Sequence, residues 1–155
     1  MYQWWVLLHI VGVIGFLLSH GASVTLTFQL RREREPAKVA ALIAMSQSTY
    51  MAFYVSLLLL LVGGVVAGFI GGWWSKGWIW LSLILLVASG MAMAAMAKPF
   101  YGKVAKAARI QASGGAPIPG QDLFVLLSSH IPIVIAWIGF ITLLAIAYLM
   151  VMKPF

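Results

Sequence analysis

The side chains of this sequence that could do chemistry in an apolar interior are three histidines, His9, His20 and His130. Imidazole can stay neutral where a lysine or aspartate could not, and a neutral imidazole is a common metal ligand. His9 and His20 are eleven residues apart. On an α-helix that spacing is three turns plus about 20°, so the two share a face and stand about 16 Å apart along it. Gly12 and Ser23 each follow a histidine by three residues and leave room for a flat ring against the helix. His130 shares its predicted face with Val134, Trp137, Ile141 and Tyr148, while Pro132 frees the carbonyl of Ser128 to bend the helix entry or recruit a hydroxyl. Counting from the predicted helix ends, His20 and His130 fall within about one turn of the same depth. Two histidines on facing helices at one depth can ligate a heme iron. The expectation from these residues is therefore heme or another metal, with His9, His20 and His130 as candidate metal ligands. Heme propionates would need cations, and Arg31 and Arg32, with Lys98 and Lys103 nearby, are the candidates on the side of His20 and His130. Two other readings stay open: hydrogen bonding of each ring to a neighbour such as Ser19, Ser23, Ser128 or Ser129, and a proton or substrate path.

Several chemistries are excluded or disfavoured by what is missing. With no cysteine there are no disulfides, thiolate metal sites or cysteine nucleophiles. The only acids are Glu33, Glu35 and Asp122, all outside the apolar runs. Carboxylate-coupled transport and triad hydrolysis therefore find no buried acid to use. Met91, Met93 and Met96 offer soft thioethers that suit copper(I), so copper handling is a further alternative. Met91 and Met93, however, do not share a helical face.

The elements that must position these residues are written in the composition. The 155 residues are 63% hydrophobic and 8% charged, against roughly 45–50% and about 25% in soluble domains. So few charges cannot coat a water-soluble globule, and the chain reads as an all-α integral membrane protein. Four runs, about 4–30, 50–70, 78–97 and 123–152, are each long enough to cross a bilayer core of about 30 Å, and none contains an acid, lysine or arginine in its interior. Helices are expected because each span must satisfy its own backbone in lipid, and the alternating stretches of a β-barrel are absent. The expectation is a single transmembrane domain over 1–155, a four-helix bundle in the cell membrane.

Charge position sets the predicted orientation. Eight of the ten bases fall in 31–38 and 98–109, so the loops 31–49 and 98–122 are predicted cytoplasmic and both termini outside. Trp4, Trp5, Trp73, Trp74, Trp78 and Trp80 would then sit at the outer interface. These bases punctuate apolar runs instead of covering a polar fold, which excludes nucleic acid as a partner. The N-terminus lacks the basic segment of a cleavable signal peptide, so the first run is expected to be retained. Continuous helix from Pro36 to Ile70 would be about 50 Å long and would overrun the bilayer. Residues 101–112 read as a separate short basic helix, 113–121 as a Gly/Pro linker, and Asp122 as the N-cap of the last helix. Gly64, Gly68 and Gly72, then Gly15, Ser19 and Ser23, then Ala88 and Ala92, form small-residue ridges expected to pack helix on helix.

At Leu8-His9-Ile10, followed by glycine and aromatic residues at 12–16, the first helix resembles a superfamily of small membrane proteins that includes the HemJ-type protoporphyrinogen oxidases and the CopD membrane domain. It is also similar to a family of predicted four-helix integral membrane proteins, DUF2269. The likeness covers helix one and the hairpin layout, about a third of the chain. It implies heme b ligated by a first-helix histidine at the position of His9. The third-helix lysine of the HemJ type has no counterpart inside the third run, where Lys98 stands only at the end, and Leu30-Arg31-Arg32 loosely echoes its arginine-rich motif. Residues and resemblance together predict a heme b-binding, electron-transferring or redox-accessory membrane protein with a redox or membrane-complex partner. The main rival is a noncatalytic subunit or scaffold whose glycine ridge and basic loops dock larger partners.

Overall fold

In hydrocarbon an unpaired backbone amide has no water to turn to, so runs of Leu, Val, Ile, Phe and Trp can cross only as helix. The computed structural model of the chain describes every residue except Ile118 and Gln121, and of Ser48 the backbone alone. Its elements are α1 (Tyr2–Arg32), α2 (Pro36–Ser48), α3 (Tyr50–Ile70), a short 3₁₀ turn (Trp73–Ser75), α4 (Gly77–Ala112), α5 (Leu123–Leu127) and α6 (Ile131–Met152). No strand occurs among the described residues. Four stretches are long and apolar enough to span a membrane: Tyr2–Arg32, Pro36–Ile70, Gly77–Ala112 and Leu123–Met152.

Local chemistry explains most of the boundaries. Pro36 occupies the first turn of α2, where its missing N–H is of no consequence. Asp122 caps α5 by accepting from the backbone N–H groups of Phe124 and Val125 at 2.8 and 3.2 Å. Gly72, at φ 66°, supplies the left-handed turn between α3 and the tryptophans.

Three expected boundaries are corrected. The stretch 36–70 is broken by a turn at Thr49, and the last span is broken at Ser128–His130, where Pro132 keeps α6 from continuing α5. Conversely, the third span and the basic segment are one helix of 36 residues that runs straight through Pro99. At 1.5 Å per residue it is about 54 Å long, well beyond a bilayer core. Ile118 and Gln121, part of the expected Gly/Pro linker, lie outside the described residues.

The helices pair as two antiparallel hairpins, α1 with α3 and α4 with α6. Between α1 and α3, His9 lies opposite Gly63, Gly12 opposite Leu60, and Gly15 opposite Ser56. A Cβ at Gly12 would run into the Leu60 backbone, and one at Gly63 would lie 2.6 Å from His9 N. These two glycines are what let the backbones touch. Of the Gly64–Gly68–Gly72 ridge, Gly64 packs against the His9 ring of α1, Gly68 against the Trp74 ring of the following turn, and Gly72 lies beyond the helix. Ala88 and Ala92 face outward.

The main core shared by the two hairpins lies at one end. At the basic end, Leu30, Val39, Ile43, Phe100, Val104, Leu123 and Leu127 form the main core, and the Tyr101 hydroxyl hydrogen-bonds Thr27 across the hairpins at 2.7 Å. Apolar contact drives association only where water competes, so a dry core is worth most at a charged end; there each fully buried side chain contributes about 1.5–3 kcal/mol. At the other end Trp78, Ile79 and Leu149 form a smaller cluster with Trp73, Trp74 and Met150 packed against it. Between these clusters α1 and α6 touch sparingly.

A candidate cofactor cavity

The gap between the hairpins is a cavity of about 680 Å³, within the roughly 300–1,000 Å³ typical of small-molecule sites. It lies toward the tryptophan-rich end and draws its walls from α1, α3, α4 and α6. Ile10, Leu17, Phe140 and Leu144 line it while also being exposed on the bundle surface, so it opens sideways between α1 and α6. The lining is overwhelmingly aliphatic and aromatic; its polar side chains are His9, Ser82, Lys153 and the indoles of Trp73, Trp74 and Trp78.

His9 is held in a defined state. Its Nδ1 lies 2.7 Å from the carbonyl oxygen of Leu60. A carbonyl only accepts, so Nδ1 carries the proton and donates it. In the neutral ring Nε2 then presents a lone pair, and it has no partner among the described residues. Metal-ligating histidines are typically fixed in this way, with the second ring nitrogen donating to a carbonyl or carboxylate. The ring has space because α3 carries glycine beneath it: a Cβ on Gly64 would sit 2.8 Å from His9 Nδ1. One turn along, a Cβ on Gly68 would sit 3.2 Å from Trp74 Nε1, a buried donor with no hydrogen-bond partner among the described residues. Ser82 is already satisfied, its hydroxyl donating to Trp78 O at 2.8 Å.

His20 points inward as well, but elsewhere. Its ring stacks on Phe16, 6.4 Å between centroids and 5° between planes, and its Nε2 abuts Gly139 of α6, buried and without a hydrogen-bond partner. Met93 Sδ would be 3.4 Å from a Cβ at that glycine, so one nitrogen and one sulfur flank the same spot. Met91, by contrast, is 64% exposed on the far face of α4. No group of three His, Cys, Asp or Glu residues that could hold a metal occurs among the described residues.

His130 does not join either site. It is exposed, it precedes α6, and it lies nine residues below the Gly139 that His20 touches, a separation of about 13 Å along the helix. The expected pairing of His20 with His130 on one iron is therefore not what the fold assembles. Depth counting missed this because the break at Ser128–His130 shifts α6 relative to α5 and leaves His130 at a helix start.

The arginines are also placed differently from expectation. Arg31 spends its guanidinium on the carbonyls of Ser129 and, at 3.4 Å, Ser128, the acceptors that the break before Pro132 leaves open. Arg31 and Arg32 stand some 22 residues from His9, about 33 Å along α1, and neither lines the cavity. The cation that does is Lys153, whose Nζ lies 4.2 Å from the Trp73 ring centroid and 6.0 Å from that of Trp78. Sequence reasoning passed over Lys153 and Trp74. Their only signal was an isolated base beyond a span and a tryptophan following the glycine ridge.

Four helices long and apolar enough to span a bilayer, with a broad belt of exposed Leu, Ile, Val and Phe side chains, define an integral, multi-pass membrane protein. The chain belongs to the family described as predicted integral membrane protein (DUF2269), whose model matches residues 4–154. No curated protein and no solved structure matches it.

Proposed function

We propose that this protein binds heme b in the cavity between its two hairpins and serves electron transfer or an accessory redox role in the membrane. The observation that carries the reading is His9: its Nδ1–H is committed to Leu60 O, which leaves the Nε2 lone pair free at the wall of a large apolar cavity. A single imidazole suffices to hold a heme iron. The Leu60 carbonyl fixes the tautomer and ring orientation of the imidazole. The aromatic and aliphatic walls exclude water, and the sideways opening gives an apolar macrocycle a route in from the bilayer. Bound heme would supply one-electron chemistry; the chain's own contribution is the ligand, its positioning and a dry surround. The resemblance of the residues around His9 to HemJ-type first helices points the same way.

Detergent-purified protein from heme-replete cells is expected to show a Soret band that His9→Ala abolishes and that His20→Ala and His130→Ala retain. A colourless wild type that cannot be reconstituted with hemin would end the proposal.

A further inference from the structure

We infer that Met150 is the second axial ligand of the heme, its thioether facing His9 across the cavity. The inference rests on the heme reading above and deepens it: a His/Met pair makes the group an electron carrier with no vacant coordination position. Among the described lining residues, the side chains able to ligate iron are His9, Met150, Ser82 and Lys153. The Ser82 hydroxyl already donates to Trp78 O, and Lys153 is an exposed cation seated over the Trp73 ring. Met150 offers a neutral, soft sulfur that an apolar cavity accommodates at no desolvation cost.

Helix register puts the two residues at one depth. α1 and α6 run antiparallel, since Tyr2 at the start of the one and Leu149 at the end of the other both reach the tryptophan turn. They touch where His20 Nε2 abuts Gly139. From that contact, eleven residues back along α1 lead to His9, and eleven residues forward along α6 lead to Met150. Both stretches are unbroken helix. Eleven residues are about 16 Å and three turns plus about 20°, so His9 and Met150 stay on the two faces that meet at the contact. Residues in between keep the same register: Val13 matches Ile146, Phe16 matches Leu143, and all four line the cavity. Met150 therefore stands on the wall opposite His9, at its level, where α1 and α6 touch only sparingly. Met93 lies beside His20 and is no part of this lining, and Met152 is 61% exposed.

The test uses heme-loaded protein in detergent, read by absorption spectra of the ferric and ferrous forms and by redox titration. Wild type is expected to be low-spin in both states, to show the near-infrared charge-transfer band of a thioether on ferric heme, and to resist carbon monoxide. Met150→Leu nearly conserves volume, so the fold and the His9-dependent Soret band should stay. It should lose the near-infrared band, turn high-spin and take up carbon monoxide readily. Met150→His should restore a low-spin spectrum without that band and lower the midpoint potential, because a His/Met pair raises it. Met93→Leu and Met152→Leu should match wild type. A His9-dependent Soret band without the near-infrared band, or a near-infrared band that survives Met150→Leu, overturns Met150 as ligand while leaving His9 ligation standing. With no His9-dependent Soret band at all, the heme reading falls and the Met150 ligand with it. Should Met150→Leu fail to purify as a single species, the wild-type near-infrared band decides.

Discussion

A methyl group is enough to test whether His9 is positioned by the glycines across from it. A Cβ at Gly64 would lie 2.8 Å from His9 Nδ1, closer than real contacts allow, and it would face a ring pinned by its bond to Leu60 O. Gly64→Ala should therefore displace the imidazole and remove most of the Soret absorbance per protein. Gly68→Ala meets Trp74 Nε1 at 3.2 Å, where the ring can give by a few tenths of an ångström, and should bind heme at reduced affinity. Equal Soret intensity in both variants and in wild type would mean that the Gly64 gap serves no ligand. Of the three histidines, two are directed inward, as their shared helical face implied. The third is not, because a residue that starts a helix is aimed by the break before it and not by the periodicity after it.

At the scale of the helices, the break between α5 and α6 must be held closed by something, and Arg31 does it. Ser128 and Ser129 carbonyls that would otherwise continue the helix are met by its guanidinium, with Ser128 Oγ bonded to Val125 O beside them. Arg31→Met should lower thermal stability by about 1–2 kcal/mol, the worth of charge-assisted hydrogen bonds discounted for partial exposure. It should leave the Soret band in place. A lost band with unchanged melting would instead return Arg31 to the cofactor. The charge pattern put Arg31 at this end but assigned it to heme propionates, not to backbone carbonyls. Which groups it meets depends on a long-range approach of α1 to the α5–α6 corner, and sequence spacing carries no information on it.

On the scale of the whole molecule, the two ends differ in kind. One is basic and tightly packed; the other is aromatic and encloses the cavity. The positive-inside rule assigns the basic end to the cytoplasm. Because the chain has no cysteine, single thiols can test this directly. A membrane-impermeant maleimide applied to intact cells should label Ser75→Cys, beside the tryptophans, and spare Ser113→Cys until the membrane is opened; the reverse pattern would invert the orientation. An outward aromatic end would place the proposed heme edge, and any electron exchange through it, near the outer surface.

The apolar runs alone determined that this chain is helical and membrane-embedded, and the His9–His20 spacing alone put both rings on one face of α1, since helix periodicity and the cost of unpaired backbone in lipid are local physics. The cavity needed the tertiary structure. It exists because glycines bring α1 against α3 while α1 and α6 touch only sparingly. The same long-range packing set Trp74 and Lys153 on the cavity and Arg31 on the carbonyls of Ser128 and Ser129. Partners brought together from distant parts of the chain leave no period to read, so only the packed fold could choose among the histidines and the cations.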